Sequence, residues 1–311
     1  MSLADRLRDF FSRRPVPSAA FQLSVSALAG LRLAGKESRA GRHVVLSLRP
    51  GSLEPSFDRP NLKDPGLLAD RLAEALRRLE LRDGNVSLLV SESCLKSGVL
   101  TFDQLPESQA ERRSLILWRL KKQMPSLPES VRLSFDVLSD RPPWKVFASL
   151  IHPSVLAEYE GLFARQGVRV RSLGLPTLSL AGLPALGDNP SGLVANIEED
   201  GLGLLVLLDS EVVFYRSKPF LPDTREAGTP ARKMQNVARE ITNTATFVED
   251  REKRRLETLW VRVAASEGEE EALEALKPQV SLAVRAIEPK RPSGLRAREA
   301  RYLAPLVAQL S

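Results

Sequence analysis

The feature that most constrains this chain is a pattern that occurs twice. On either side of Gly187-Asp188-Asn189-Pro190-Ser191-Gly192, three strand-like runs are followed by a helix and another strand. In the first half the runs are Ala19 to Ser26, Leu28 to Leu33 and His43 to Leu48, each apolar and bounded by Gly, Pro or Ser. Leu68, Leu72, Leu76 and Leu79 mark one face of the helix, and Asn85 to Ser91 is the next strand. In the second half the runs are Leu193 to Ile197, Gly203 to Leu208 and Glu211 to Arg216. The helix there opens at Thr229-Pro230, an N-cap followed by proline at the first helical position. Its face is Met234, Val237, Ile241, Ala245 and Val248, and Leu259 to Ala264 follows as a strand. The order repeats and the residues do not, so this is a repeat of architecture. Strands alternating with helices predict an α/β fold of mixed sheets covered by helices.

The first half carries extra elements. Gly98 to Phe102 reads as a strand, and Pro106 to Met124 as a helix stopped by Pro125 and Pro128. Val131 to Leu138 and Trp144 to Ile151 form an antiparallel pair around Asp140-Arg141-Pro142-Pro143. A helix starting at Pro153 shows Leu156, Tyr159, Leu162 and Phe163 on one face, with Gly167 as its C-cap and a strand from Val168 to Leu173 after it. The expected division is a first domain over 1–187, containing an inserted subdomain at about 98–167, and a second domain over 192–311. Beyond Ala264 come a helix over Glu269 to Leu276, a strand over Val280 to Ile287, and a helix around Tyr302, Leu306 and Leu310 that packs back on the first domain.

Composition narrows the function classes. Hydrophobic residues make up 43% and charged residues 27%, an ordinary globular balance. No apolar run approaches the roughly 20 residues that span a bilayer. The first residues lack the apolar core and cleavage site of a secretory signal. One cysteine, Cys94, is a buried or inert thiol and points to a reducing cytoplasm. With two histidines and that cysteine a zinc site is excluded in practice, and no catalytic residue or metal ligand is assigned. The net charge of +6 comes from scattered arginines with three Trp and three Tyr, so nucleic acid is not an expected partner. Trp118, among Arg112, Arg113, Arg119, Lys121 and Lys122, is expected to pack inward behind a solvated basic face. Leu3, Leu7, Phe10 and Phe11 have helical spacing, which suits either an anionic membrane surface or a partner helix.

Four stretches, in register, resemble the PilM family of actin-like cytoplasmic proteins of type IV pilus assembly. More distantly they are similar to the cytoplasmic part of GspL and to FtsA. The first is the hairpin Ala20 to Leu33. The second is Trp118-Arg119-Leu120-Lys121-Lys122-Gln123-Met124-Pro125 followed by Val131 to Leu138. The third is Glu160-Gly161-Leu162-Phe163 to Val170 with Leu175-Pro176-Thr177-Leu178. The fourth runs from Val194-Ala195-Asn196-Ile197 through Glu211 to Arg216 and Arg239-Glu240-Ile241. The resemblance implies a duplicated actin-like (ribonuclease H-like) fold. It also implies a scaffold or adaptor at the inner membrane that binds the cytoplasmic tail of a single-span, PilN-like protein beside the inserted subdomain. In that family ATP lies between the halves, held by two strand-turn-strand hairpins, each with an Asp for the metal and a Gly for close backbone approach, and by a third glycine-rich turn.

Measured against that frame, the hairpins here are vestigial. Gln22 stands where the first Asp is expected, Ser24 where the Gly is and Ala29 where the Lys is, with Ser26 in the turn. Asn196 replaces the second Asp and Glu198 the second Gly, ahead of Gly201. Glu198, Glu199 and Asp200 place carboxylates where a polyphosphate would sit, each nearby pair of like charges costing on the order of 1–4 kcal/mol. They read as a solvated acidic turn, the bound-cation reading being the minor one. The third turn, Val263 to Gly268, holds one glycine. The expectation is a pseudo-ATPase without cofactor. The alternative is an actin-like ATPase binding Mg-ATP at a non-standard phosphate site, with Gln22 and Asn196 holding metal-bound water.

Overall fold

The computed structural model describes residue 17 and residues 19–34, 38–220, 230–264, 269–287 and 297–310. The expected helix bearing Leu3, Leu7, Phe10 and Phe11, the cap residue Thr229, and residues 265–268 of the third turn lie outside them. The first half contains β1 (Ala19–Leu23), β2 (Ala27–Ala34), β3 (Ser38–Ser47), α1 (Pro65–Arg78) and β4 (Gly84–Val90). Next come β5 (Leu95–Phe102), α2 (Gln109–Gln123), β6 (Arg132–Val137) and β7 (Trp144–Ile151). α3 (Pro153–Ala164), β8 (Val168–Gly174) and the short α4 (Pro176–Leu180) complete it. The second half contains β9 (Gly192–Glu198), β10 (Gly201–Leu208), β11 (Glu211–Pro219), α5 (Pro230–Glu252), β12 (Thr258–Ala264), α6 (Glu269–Leu276), β13 (Ala283–Ala286) and α7 (Ala297–Leu310).

The architectural repeat is present as two five-stranded sheets of matching topology. Their orders are β3-β2-β1-β4-β8 and β11-β10-β9-β12-β13. In each sheet the first three strands form an antiparallel meander, and the last two add in parallel to the first strand's other side. Strands β1 and β9 are central and buried along their whole length, which is why both read as nearly continuous apolar runs.

Alternation along these central strands sorts side chains between two layers. In β1, Ala19, Phe21 and Leu23 face a core shared with Leu68, Leu72, Ala75 and Leu76 of α1 and Tyr159, Leu162 and Phe163 of α3. Ala20 faces the other way, into a cluster with Tyr302, Leu303 and Leu306 of α7, and period two puts Gln22 on that same face. In β9, Leu193, Ala195 and Ile197 pack against α5 and α6, which leaves Val194, Asn196 and Glu198 on the inner face. β12 pairs in register with β9, so Trp260, Arg262 and Ala264 join that face beside Val194, Asn196 and Glu198. The inner faces of the two sheets therefore oppose one another, and each carries polar residues in otherwise apolar strands.

The extra elements of the first half form a separate three-stranded antiparallel sheet, β5-β7-β6, covered by α2 through Ile116 and Leu120. It spans 95–151, whereas the sequence suggested 98–167. α3 packs on the main sheet: Tyr159, Leu162 and Phe163 share a buried core with Phe21 of β1 and Val168 of β8, and the Phe21 and Phe163 rings meet edge-on with centroids 5.4 Å apart. Trp118 is a second departure. Ile116 and Leu120 take the inward positions of α2, so Trp118 faces outward, 56% exposed, with the Lys122 ammonium 5.4 Å from its ring. Among the described residues no helix is long and apolar enough to cross a membrane.

α7 covers the inner face of β1 and β2, with Leu303 and Leu306 fully buried there. Replacing Leu303→Ala is expected to lower unfolding stability by about 2–5 kcal/mol through lost contact and cavity formation. Urea denaturation checks this as a lower midpoint at unchanged slope.

Candidate functional site

The two opposed faces meet in a buried polar cluster at the position of the two hairpins. Its centre is the Arg262 guanidinium, fully buried at 0% exposure. Arg262 Nη1 donates to Asn196 Oδ1 at 2.6 Å and to Glu198 Oε1 at 2.7 Å. Its Nε donates to the Arg301 carbonyl of α7 at 2.6 Å, and Nη2 reaches Gln22 Oε1 at 3.3 Å. The Gln22 amide nitrogen in turn donates to Glu198 Oε1 at 2.7 Å. One side chain of the second half thus binds both hairpin strands and the last helix. Gln22 is matched to both signs of charge, its oxygen toward the cation and its nitrogen toward the carboxylate.

This placement settles the local chemistry of the predicted residues. Gln22, Asn196 and Glu198 are brought together. Ser24 closes its own turn, its hydroxyl and backbone nitrogen both bonding Ala27 O at 3.0 and 2.9 Å. The Ser26 hydroxyl is buried and makes no hydrogen bond, and it takes no part in the cluster. Gly201 begins β10 where a Cβ would sit 3.0 Å from Lys218 O, so its smallness serves strand pairing with β11. The acidic stretch is not a solvated turn. Glu198 is buried and ion-paired with Arg262, and Asp200 accepts from the Ser91 hydroxyl across the halves. Burial, reinforced by the Glu198 charge, pushes the Asp200 carboxyl up to about 6. Among the described residues, no group of three His, Cys, Asp or Glu is arranged to hold a metal ion.

A second set of contacts lies beside the first. Glu92, in the turn Glu92–Cys94, accepts from Thr177 N at 2.9 Å and from the Tyr215 hydroxyl of β11. Burial pushes its carboxyl up to about 7, against the pull of the Thr177 and Tyr215 hydrogen bonds. Gly203 of β10 makes this approach possible. A Cβ there would meet Thr177 Oγ1 at 2.0 Å and Glu92 Oε1 at 3.2 Å. Cys94 is buried, within 3.4 Å of the Tyr159 hydroxyl, and burial raises its thiol to about 12, as an inert thiol requires.

Of the hairpin residues singled out from the sequence, Gln22, Asn196 and Glu198 meet in the cluster and Ser24, Ser26 and Gly201 do not; Arg262, Glu92, Thr177 and Tyr215 were missed. Arg262 had a usable signal: a lone charge in Leu259-Trp260-Val261-Arg262-Val263-Ala264, where an apolar strand leaves it no water and so demands a buried partner. Glu92 had none, since a glutamate in a turn is ordinary.

Comparison with known proteins bears on the architecture. No family model matches the sequence, and no curated protein is detectably similar. Among solved structures, the chain is similar to one described as the PilM-PilN type IV pilus biogenesis complex. The TM-score is 0.71 over 94% of this chain and 96% of that one, at 15% identity. It is also similar to a Bacteroides thetaiotaomicron protein with actin-like ATPase fold and unknown function, at TM-score 0.50 and 10% identity, covering 94% and 97% of the two chains. The chain has an actin-like fold. The two sheets are the duplicated halves of that fold, and its likeness to PilM extends through nearly the whole chain.

Two outcomes follow for the cluster. Arg262→Met strands Glu198 as an uncompensated buried carboxylate and is expected to cost about 3–5 kcal/mol at pH 7. Adding Glu198→Gln recovers most of that loss, since the remaining groups are neutral; paired chemical denaturation curves test both. The pH dependence has a definite sign. Glu92 in the folded protein holds a proton up to about pH 7, whereas the unfolded chain releases it near its ordinary value of 4.5. Its contribution to stability is therefore present below about pH 4.5 and lost as pH rises to about 7, on the order of a few kcal/mol in all. In Glu92→Gln this component of the pH profile disappears.

Proposed function

We propose that the protein is a non-enzymatic adaptor of a type IV pilus or related secretion machine, working at the cytoplasmic face of the inner membrane. The observation that carries this reading is the Arg262 guanidinium lying between the two hairpin strands. Gln22 and Glu198 approach directly to 2.7 Å, a separation with no room for a phosphate group between them. In an actin-like ATPase that gap is the seat of a metal-bound anion and supplies the tie between the halves. Here a cation of the chain itself makes the tie, and the two Asp positions are amides, Gln22 and Asn196, neither of which brings a charge to a metal.

The partner reading rests on the likeness to the PilM-PilN complex. A short cytoplasmic tail of a PilN-like, single-span membrane protein is the proposed ligand, docking beside the small β5-β7-β6 sheet. A tail that orders on binding depends on a few apolar anchors for its affinity. Attachment to the membrane is then indirect, through that partner, with the basic surface favouring an anionic leaflet.

Two measurements test the proposal. Thermal denaturation with millimolar Mg-ATP is expected to show no shift. A ligand at 100 times its dissociation constant would stabilise by about 2.7 kcal/mol, and such a shift would return the protein to the nucleotide-binding class. Calorimetric titration with a synthetic cytoplasmic tail of a PilN-like single-span protein is expected to give saturable binding unchanged by nucleotide. A tail that gives no heat at any temperature and is not retained on the immobilised protein defeats the adaptor reading.

A further inference from the structure

α2 is the outer layer of the small sheet. Ile116 and Leu120 turn into that sheet's core, and helical spacing of about 100° per residue fixes what the opposite side carries. Trp118 sits in the middle of that opposite side, with exposed Lys121 and Lys122 one turn further on and exposed Arg119 beside them. A single exposed ring is ordinary by itself, so the information lies in its setting. The Lys122 ammonium rests over the Trp118 ring, 5.4 Å from its centroid. None of Arg119, Lys121 and Lys122 has an ion-pair partner among the described residues. Arg112 and Arg113, by contrast, are spent on the carbonyls of Pro106 and Leu133. The acidic residues of this segment stand apart: Asp103 and Glu107 precede the helix, Glu111 lies on the same face two turns before Trp118, and Glu129 follows the helix. The C-terminal half of α2 is therefore a convex ridge bearing one indole among three unneutralised cations.

The shape and chemistry of this ridge select among occupants. A peptide seeks a groove, and the outer side of a covering helix is the reverse of one. A protein interface centres its aromatic anchors in dry pockets and is depleted in lysine, whereas two lysines keep this ring wet. One ring is too few to stack the successive bases of a nucleic acid. A bilayer surface fits on each count. It is flat, so a ridge can rest on it. Tryptophan prefers the headgroup level, where its ring is half in apolar surroundings and its N–H stays among polar groups. Lysine and arginine stems lie along the same layer while their charged ends reach the phosphates.

We propose that the Trp118, Arg119, Lys121 and Lys122 face of α2 docks directly on an anionic bilayer surface, Trp118 entering the headgroup layer and the three cations pairing with lipid phosphates. The adaptor reading is what places a bilayer near the small sheet, and the inference rests on it to that extent. It adds a second, direct point of attachment to the one made through the partner's tail. Each cation near an anionic leaflet strengthens the partition about fivefold, so the face alone binds weakly and reversibly. Its effect with a membrane-anchored partner is to fix which side of the protein faces the lipid.

Flotation of the full chain with vesicles reads this without any tail present. On phosphatidylcholine vesicles containing about one-third phosphatidylglycerol, binding is expected that weakens as salt is raised, and on pure phosphatidylcholine it is expected to be lower by about tenfold or more. The double variant Lys121→Gln, Lys122→Gln is expected to weaken partition about twentyfold, and Trp118→Ala about tenfold. A control, Arg169→Gln with Arg171→Gln, removes the same charge from exposed positions on β8 and is expected to change binding less than about threefold. The Trp118 emission, taken as the native spectrum minus that of Trp118→Phe, is expected to shift to the blue on anionic vesicles. All these positions are exposed, and unchanged thermal midpoints confirm that the variants fold. No binding to anionic vesicles, an equal loss in the control, or vesicle binding with unshifted Trp118 emission overturns the proposal. Salt-sensitive self-association lost in the α2 variants, without vesicle binding, assigns the face to a second copy and likewise overturns it. The tail titration is read separately, so a failed adaptor reading and a failed membrane face give different results.

Discussion

A guanidinium taken out of water must be paid for with near-complete hydrogen bonding, and that requirement organises the centre of this molecule. Arg262 meets it with four acceptors drawn from three elements: Asn196 and Glu198 of β9, Gln22 of β1, and the Arg301 carbonyl of α7. Because the acceptors come from both halves, satisfying one side chain fixes the angle between two sheets. The apolar surroundings sharpen the demand, since an acceptor lost here is not replaced by solvent. Position, more than energy, is what such a network specifies, and the surrounding Ala20, Ala27, Ala29 and Ala264 are small enough to let α7 come close to both sheets.

The same physics reinterprets the amides at the hairpins. A carboxylate at either Gln22 or Asn196 would add negative charge to a site where Glu198 already balances Arg262. Glutamine and asparagine supply an acceptor for the cation without that charge, and Gln22 also supplies a donor for Glu198. The residues that look like losses from a metal-phosphate site are therefore the ones a guanidinium-filled site calls for. Glu198, which by sequence alone seems to repel a polyphosphate, spends its charge inside the protein instead.

Much of the fold was legible because it is written in periodicity. The strands of both halves, the face of α1 and the long stripe of α5 from Met234 to Val248 are patterns of burial, and burial is what hydrophobic spacing records. The pairing of β6 with β7 followed from two apolar runs around a turn. Less was legible where contacts join residues distant in sequence. The 97-residue separation between Asn61 and Glu158, or the 240 between Gln22 and Arg262, leaves no local trace. The helix starting at Pro153 was grouped with the inserted subdomain at about 98–167, whereas its apolar face joins the core that contains Phe21 and Val168. Trp118 was placed inward by its chemistry alone, whereas Ile116 and Leu120 already filled the inward positions of that helix. At the site, the hairpin residues stood out through their place in a repeated frame, while Tyr215 and Thr177 look like ordinary members of apolar segments.

The last helix has a consequence for how the molecule is made. The inner face of β1 and β2, among the first segments of the chain, is covered by α7, which lies at the opposite end of the sequence. During synthesis that apolar surface, with Ala20, Ala27, Ala29 and Leu31, stays uncovered until residues 297–310 have left the ribosome. The first half is thus a unit in space and not in time: its sheet forms early, its closure comes late, and nascent chains stopped short of α7 expose a surface suited to holding by chaperones.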